Sequence, residues 1–404
     1  MRILLATTRN ISQPTGEWRL ISERASGLQA NSVPTDVLYV HKKRRSGFDP
    51  SLHVWAGTFF SVSFRTVPGF AAALIKAASY IRHWLRQNPD GYVLLSGLQL
   101  HPLTTVLPHS RIIIDNHGTP EEWIELRHPN PKQRALRYLY PVAKWLDRLA
   151  FKRCSGTLVA SQPQHKYVLS NGAPRAWLVP CVLSSRTAQA FSAADRWASR
   201  KRHGIESDTT AVVYCGGFSE WQCVRDAVNL FRQIRPYLGA NARLIMITPS
   251  VELAVQAAQD VGVDDAIAVT LPPTEVAGAL VACDIGLMLR EATITNHCAF
   301  PNKFAEYVAA GLYVISSPGL TDPAAVIQEY ELGTLITPEE VRKGVAPERL
   351  SAVADQFHRS RNRDGRWRQS RRLLESTLSM EACISRFVSD LNNQPVQLAT
   401  PARQ

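Results

Sequence analysis

The chain has 404 residues, of which 45% are hydrophobic and 20% are charged. This length exceeds what one core usually supports, and both values agree with an α/β protein of two domains. No apolar run is long enough to span a membrane, and the opening MRILLATTRN is too short in apolar residues for a signal peptide. Seven scattered cysteines show no zinc spacing and favour a reducing compartment, so we expect a cytoplasmic protein without a metal site.

Charge is distributed unevenly along the chain. Residues 1–200 hold 26 Lys and Arg against 11 Asp and Glu, a net charge of +15, whereas the remainder carries −3. An N-terminal half with this much positive charge predicts an anionic partner. Its cations concentrate in the run from Lys42 to Arg45 and in two predicted helices near 70–86 and 132–153.

The two basic helices have two competing interpretations. Their apolar faces lie beside the cations, as in peripheral membrane helices, which predicts binding to an anionic membrane surface. A solvated basic face on helices that cover the sheet is an equal alternative for either helix alone. Nucleic acid is less favoured, because no nucleic-acid motif accompanies the charge.

Apolar segments in the first half predict the strands of a parallel sheet, with helices between them. They are Arg2–Thr7, Asp36–Val40, Tyr92–Ser96, Arg111–Asp115, Thr157–Ala160 and Ala176–Pro180.

The best chemical candidate in this half is the segment IIIDNHGTPEEW, residues 112–123. Its strand ends at Asp115, so His117 should turn toward the ligand-binding edge of the sheet, where it could orient a hydroxyl or act as a base. His117 could equally cap or pack against its surroundings. Glu121 and Glu122 are explained more simply as partners of a helix dipole.

The chain then changes character. Residues 187–208 are polar and lack strand character, which predicts a connection between domains, and Ser379 can cap a helix with an apolar face. We predict an N-terminal domain over 1–186, a linker over 187–208, a C-terminal domain over 209–375, a terminal helix over 376–392 and a flexible tail over 393–404.

The stretch ACDIGLMLREATITNHCAFPNKFAEYVAAGLYVISSP, residues 282–318, is the most informative one. It predicts a buried strand, a polar loop, a helix that begins near Pro301, and another strand. Lys303 and Glu306 then lie in the first helical turns, close to the carboxyl end of a strand, where open α/β sheets bind ligands. Lys303 can bind a diphosphate with the helix amides, and Glu306 can accept from ribose hydroxyls. The alternative is an ordinary salt bridge on a packing helix.

The segment PNKFAEYVAAGLYVIS, residues 301–316, resembles the nucleotide-sugar segment of family 4 glycosyltransferases, which have the GT-B fold. In the same order, AVVYCGGFSEWQ (211–222) is similar to the first strand and glycine turn of the family's C-terminal domain, and ARLIMITPS (242–250) to its second strand. The resemblance implies two Rossmann-like, doubly wound parallel-sheet domains with a cleft between them, and a terminal helix that crosses back to the first domain.

The resemblance also implies functional residues. The catalytic candidates are His117, Lys303 and Glu291, and the candidates for binding the nucleotide sugar are Gly216, Gly217, Arg225, Pro301, Asn302, Lys303 and Glu306. Two departures from the family's pattern shape this set. Cys298 stands where the family often has a glutamate, which leaves Glu291 or His297 to contact the sugar. The turn after Gly217 lacks the family's arginine and lysine, which leaves Lys303, the glycine backbone and Arg225 or Arg290 for the diphosphate.

These observations predict a glycosyltransferase that moves a sugar from a nucleotide diphosphate sugar to a lipid-linked or polysaccharide acceptor. The resemblance implies retention of anomeric configuration, no obligatory metal and no cofactor besides the donor substrate. The N-terminal charge suggests a peripheral position on the inner face of the membrane. Two alternatives stay open: a nucleotide-sugar epimerase of the same fold, and a non-catalytic partner protein that keeps the fold without the activity.

Overall fold

A computed structural model describes residues 1–13, 15–42, 57–125, 135–360 and 363–393. Residues 43–45 of the basic run and the first residues of the predicted basic helix, 132–134, lie outside these ranges. No helix within them is long and apolar enough to cross a bilayer.

The described residues form parallel strands that alternate with helices. The strands are β1 (Ile3–Thr7), β2 (Thr35–Lys42), β3 (Phe59–Phe64), β4 (Tyr92–Ser96), β5 (Ile112–Asn116), β6 (Gly156–Val159), β7 (Ala176–Leu178), β8 (Thr210–Cys215), β9 (Ala242–Ile247), β10 (Ile267–Val269), β11 (Ile285–Met288), β12 (Tyr313–Ser316) and β13 (Gly333–Leu335). The helices are α1 (Gly16–Ala30), α2 (Val67–Gln87), α3 (Glu122–Glu125), α4 (Tyr140–Lys152), α5 (Gln162–Ser170), α6 (Ser185–Ala188), α7 (Arg196–Arg202), α8 (Val224–Leu238), α9 (Val251–Gln259), α10 (Pro273–Ala282), α11 (Ile294–His297), α12 (Asn302–Ala309), α13 (Thr321–Glu329), α14 (Pro338–Lys343), α15 (Pro347–Arg359), α16 (Arg363–Glu375) and α17 (Met380–Asn392).

The chain divides into two compact units. Unit 1 contains residues 1–117, 141–180 and 380–404, and unit 2 contains 118–140 and 181–379. The segment 118–140, which the sequence assigned to the N-terminal domain, therefore clusters with unit 2. The chain enters unit 2 again at Cys181, before the predicted linker begins.

Unit 1 is built on one parallel sheet with strand order β3-β2-β1-β4-β5-β6-β7. Neighbouring residues of a strand face opposite sides of the sheet, so Leu4 packs into the core under α2 and Leu5 packs into the core under α1. The strand order reverses between β1 and β4. In open α/β sheets a crevice opens at the carboxyl ends of the two strands that flank such a switch point.

The terminal helix α17 belongs to unit 1 and packs against α1. A Cβ atom at Gly27 of α1 would lie 2.7 Å from Cγ of Met380, so glycine is required for this close approach. The side-chain amide of Asn31 donates to the carbonyl of Glu381, 3.0 Å away. Trp177 packs edge-on against Phe387 of α17, with ring centroids 5.1 Å apart.

Unit 2 has a parallel sheet of order β10-β9-β8-β11-β12-β13, with its switch point between β8 and β11. The predicted linker contains α7, which is fixed to this unit. Arg196 and Arg200 of α7 place guanidinium nitrogens 2.7 and 3.2 Å from the two carboxylate oxygens of Asp284, which directly precedes β11. The two parallel sheets covered by helices confirm the predicted α/β fold class.

Candidate functional site

The switch point of unit 2 carries the glycine turn and two of the cations that the sequence singled out, Arg290 and Lys303. β8 ends at Cys215, and Gly216 follows with a φ of 144°, a backbone region that favours glycine. β11 ends at Met288, two residues before Arg290. α12 begins at Asn302 and brings Lys303 to the same place, since a Cβ atom at Gly216 would lie 2.7 Å from its Nζ.

Lys303 is buried, and the side chains that its ammonium contacts directly are neutral. Its Nζ donates to Oε1 of Gln222 over 2.8 Å and lies 4.3 Å from the centre of the Tyr214 ring. The Tyr214 hydroxyl lies 2.8 Å from the same Oε1, so Gln222 holds the ammonium and the ring together. Burial, with the charge of Arg290 nearby, lowers the pKa of Lys303 to about 7.

Arg290 is the second buried cation of this site. The hydroxyl of Ser317 accepts from its backbone amide over 2.7 Å and donates to its carbonyl over 2.7 Å, which fixes the chain after β11. Its Nη1 donates to the carbonyl of Trp221, 2.9 Å away. Within the described residues neither Arg290 nor Lys303 forms an ion pair with a carboxylate. Burying positive charge without a negative partner is costly, so the site is suited to an anion.

The remaining donor candidates lie around this pair. Pro301 and Asn302 form the start of α12 and are half-buried, and Glu306 lies one turn into the helix, also half-buried. Early amides of a helix and its dipole favour negative charge at this end. The positions predicted for diphosphate and ribose thus fall on one helix start beside the glycine turn.

The structure places Arg225 and Glu291 in other interactions. Arg225 is 64% exposed and pairs with Asp260 at 2.5 Å, on the surface of α8. Glu291 follows Arg290 and places Oε1 2.6 Å from Nη2 of Arg342. Of the cations offered for the diphosphate, Arg290 rather than Arg225 is therefore the one that shares a buried site with Lys303.

Glu291 belongs to a small cluster with Cys223 and Asp226. One ligand atom from each lies within 4.8 Å of the others. Arg342 also approaches Asp226, at 3.8 Å, and so supplies positive charge to both carboxylates. Burial raises the pKa of the Cys223 thiol to about 11, so the sulfur carries its proton at neutral pH.

The two residues at the departure from the family pattern are held in place locally. Cys298 is buried, and Nδ1 of His297 lies 2.9 Å from the hydroxyl of Thr321. The helix that contains His297, α11, is capped by Glu125 from the segment 118–140. The Glu125 carboxylate accepts from the amides of Ile294 and Thr295 at 3.0 and 2.9 Å. Sequence reasoning missed Glu125, because nothing in its local pattern indicates a partner 169 residues away.

His117 lies in unit 1, at the end of β5, in contact with Asp115. Its Nε2 lies 2.7 Å from Oδ2 of Asp115, and Oδ1 of that carboxylate lies 3.4 Å from Nε of Arg24. Burial opposes ionisation of Asp115, but His117 and Arg24 outweigh it and hold its pKa well below the usual range. Burial also lowers the pKa of His117 to about 4, so the imidazole is neutral at physiological pH.

The structure is similar over nearly its whole length to solved glycosyltransferases. It matches WaaG, a glycosyltransferase involved in lipopolysaccharide biosynthesis, with a TM-score of 0.66 and 15% identity over 97% of this chain and 100% of that one. It matches sucrose-phosphate synthase from Thermosynechococcus elongatus with a TM-score of 0.70 and 15% identity over 97% and 98%. HepE of Anabaena, solved in complex with UDP, matches with a TM-score of 0.66 and 13% identity over 98% of this chain and 100% of that one. No protein-family model and no curated protein matches the sequence. These likenesses confirm the predicted GT-B fold.

Proposed function

We propose that the protein is a glycosyltransferase that moves a sugar from a nucleotide diphosphate sugar to an acceptor. The observation that carries this proposal is the buried pair of cations, Arg290 and Lys303, at the switch point of unit 2. A diphosphate supplies the negative charge that this pair lacks, beside a glycine turn and a helix start. UDP bound to HepE, a protein of the same fold, is in keeping with such a donor.

The proposed reaction retains the anomeric configuration and requires no metal. The bond between the anomeric carbon and the diphosphate breaks, and the acceptor oxygen bonds to that carbon on the same face. The acceptor proton passes to an oxygen of the leaving diphosphate. Lys303 and Arg290 stabilise the charge that develops on that diphosphate, and Glu306 accepts hydrogen bonds from the ribose hydroxyls. His117 and Glu291 are the proposed contacts for the reacting sugars.

We propose further that the acceptor is a lipid-linked saccharide or a polysaccharide and that unit 1 approaches an anionic membrane surface from the cytoplasm. The exposed face of α4 supports this. Trp145 is 61% exposed and Val142 lies one turn before it, also exposed, while Arg148 and Lys152 are exposed on the same helix. Apolar side chains beside cations are the pattern that binds anionic interfaces.

Nucleotide binding tests the donor site directly. UDP, GDP and their sugars are titrated by calorimetry into the wild type and into Lys303→Met, with Lys343→Met, an exposed surface lysine, as the matched control. Loss of a hydrogen bond to a charged group should weaken binding by about 1.5 to 3 kcal/mol in Lys303→Met and leave the control unchanged. Glu306→Ala should weaken it by about 1 to 3 kcal/mol, with the exposed Glu329→Ala as control. Equal affinity of wild type and both site variants would remove this site from nucleotide binding.

Reaction products separate the candidate activities. Purified protein incubated with donor and membrane lipid extract should release nucleotide diphosphate and yield a glycosylated lipid. An isomerised donor formed without acceptor would indicate an epimerase instead. Binding of donor without any turnover, together with tight binding of a second glycosyltransferase, would indicate a non-catalytic partner.

A further inference from the structure

The strands β8 and β11, which flank the switch point of unit 2, are paired over only part of their length. Their register ends with Gly286 against Val213, although β8 continues to Cys215 and β11 continues to Met288. Each strand stays paired with its outer neighbour up to its own end, β8 with β9 and β11 with β12. The sheet of unit 2 therefore opens between these two strands, toward the donor site.

The hydroxyl of Tyr307 lies in this opening. In a continued parallel ladder the amide of Cys215 would donate directly to the carbonyl of Leu287. Instead, the amide donates to the Tyr307 hydroxyl over 2.9 Å, and the hydroxyl donates to the Leu287 carbonyl over 3.3 Å. One side-chain oxygen thus replaces a direct bond between the strands and keeps the two strand ends apart. Burial raises the pKa of Tyr307 well above its ordinary value, so the hydroxyl keeps the proton that it donates.

The Tyr307 ring is fully buried and packs tightly against β11. A Cβ atom at Gly286 of β11 would lie 2.5 Å from Cδ2 of the ring, so this close approach requires glycine. Lys303 lies four residues before Tyr307 on α12, and residues at this spacing share one face of a helix. The residue that enters the opening of the sheet is therefore one helical turn from the ammonium group at the glycine turn.

We infer that Tyr307 is a positioning residue for the donor diphosphate, because its hydroxyl holds the ends of β8 and β11 apart and fixes α12 to both strands. On the β8 side it determines where the turn at Gly216 begins, and on the β11 side it determines where the chain continues to Arg290. Through α12 it holds Lys303 beside Gly216. The inference rests on the proposed function, since it identifies the residue that arranges the proposed diphosphate site.

Tyr307→Phe removes the hydroxyl and keeps the ring. UDP affinity, measured by calorimetry on the full chain, should fall at least tenfold, because the glycine turn and Lys303 lose their common anchor. Tyr313→Phe is the matched control, since Tyr313 of β12 is also fully buried and its hydroxyl lies 2.9 Å from both Oγ1 of Thr334 and Oε1 of Gln356. Thermal unfolding should show a loss of stability in both variants, whereas UDP affinity should fall in Tyr307→Phe alone. Equal UDP affinity of the wild type and folded Tyr307→Phe overturns the inference.

The pKa of Lys303 tests the same role in the free protein, without any nucleotide. It is about 7 in the wild type, since burial and the nearby Arg290 lower it more than Cys215 and Glu306 raise it. If Lys303 loses its position in Tyr307→Phe, this pKa should return toward the ordinary value of a lysine, and the control variant should leave it unchanged. NMR of ¹³C-labelled lysine side chains measures the pKa, with the Lys303 signal assigned by its absence in Lys303→Met. An unchanged pKa in folded Tyr307→Phe also overturns the inference.

Gly286→Ala is a second variant, which keeps the hydroxyl and displaces the ring. It should weaken UDP binding at least tenfold, while Gly278→Ala in α10, whose Cβ atom would make an ordinary contact 3.4 Å from Oγ of Ser199, should not. If both glycine variants bind UDP as the wild type does, the position of the ring does not matter and the inference fails. If the wild type itself binds no nucleotide, the proposed function fails, and the pKa of Lys303 alone then decides the role of Tyr307.

Discussion

At the scale of single residues, the site in unit 2 buries two cations, Lys303 and Arg290, although burying even one positive charge costs free energy. Lys303 is shielded from water and faces Arg290, so its protonated form is disfavoured in the free protein. Its other charged or titratable neighbours are Cys215 and Glu306, which act in the opposite direction. The diphosphate of the proposed donor would add negative charge beside Lys303 and raise this pKa again. Ligand binding and proton uptake are therefore linked at Lys303.

This linkage predicts a pH dependence of donor affinity. The pKa of Lys303 is about 7 in the free protein. Below it the ammonium is already charged and affinity is highest, and above it binding must first protonate the amine. Affinity for UDP-glucose should fall by up to about tenfold per pH unit above pH 7 until the pKa of the bound state is reached. Both phosphates of this ligand are esterified, so no monoester group titrates in the range.

Calorimetry from pH 6 to 9 measures the effect, and buffers of different ionisation enthalpy report the proton taken up. Lys303→Arg keeps its charge throughout this range and should lose the pH dependence. A wild-type affinity that is flat over the same range would refute the linkage.

The sequence predicts a site residue well where a short local motif contains that residue. PNKFAEYV placed Lys303 and Glu306 on one helix start, and the structure has them there. The neutral partner Gln222 and the exposed pairing of Arg225 could not be read in this way. Both depend on which side chains meet across elements, and side-chain orientation after a turn follows from packing that no short pattern encodes.

At the scale of elements, the turn after β8 packs closely against Lys303 at the start of α12, because residue 216 is a glycine and has no side chain. Gly216→Ala should both strain the backbone and push against Nζ of Lys303, which lies 2.7 Å from the Cβ position. We expect a loss of stability of about 1 to 3 kcal/mol and a loss of UDP affinity of at least about tenfold.

Gly239→Ala is the matched control for Gly216→Ala. Gly239 also has a positive φ, of 106°, but nothing lies within 4 Å of its Cβ position. Gly239→Ala should therefore lower stability by about as much as Gly216→Ala does, and it should leave UDP affinity unchanged. Equal affinity losses in the two variants would show that backbone strain, and not the contact with Lys303, matters. Thermal unfolding and calorimetry on both proteins separate the two effects.

The cap of α11 by Glu125 makes a second prediction at this scale. Glu125→Ala leaves the amides of Ile294 and Thr295 without their acceptor and should destabilise this turn by about 1 to 3 kcal/mol. Hydrogen exchange should show these two amides exchanging faster, while Glu375→Ala, an exposed glutamate, should leave them unchanged. Unaltered protection of both amides in Glu125→Ala would contradict the cap.

The sequence predicted the strands of unit 1 more accurately than it predicted which segments belong to which unit. The predicted strand Tyr92–Ser96 has its exact bounds in the structure, and the other predicted strands of unit 1 shift by one or two residues at their ends. Buried apolar runs encode such strands directly. The clustering of 118–140 with unit 2 was missed, because it depends on contacts such as that of Glu125, which join distant parts of the chain.

At the scale of the whole molecule, the charge is carried by residues 1–200, with a net +15 against −3 for the remainder. If unit 1 faces an anionic bilayer, binding to anionic vesicles should weaken as salt rises, because the Debye length shortens. Glutamine substitutions over Lys42 to Arg45 should weaken flotation with vesicles and spare UDP affinity.

The exposed face of α4 adds an apolar part to this prediction. Trp145→Ser should weaken vesicle binding, and Trp197→Ser, an equally exposed tryptophan of unit 2, should not. If the wild-type protein does not bind anionic vesicles at low salt, a soluble acceptor becomes the better interpretation.

The position of α17 in unit 1 has a consequence for synthesis on the ribosome. The N-terminal part of unit 1 emerges before unit 2, but the face of α1 at Gly27 stays uncovered until Met380 and Ile384 have been translated. All of unit 2 leaves the ribosome before that helix does. The nascent N-terminal sheet must therefore wait with one apolar helix face open, and chaperones that bind such faces should associate with chains stalled before residue 380 and release those stalled after α17 has emerged.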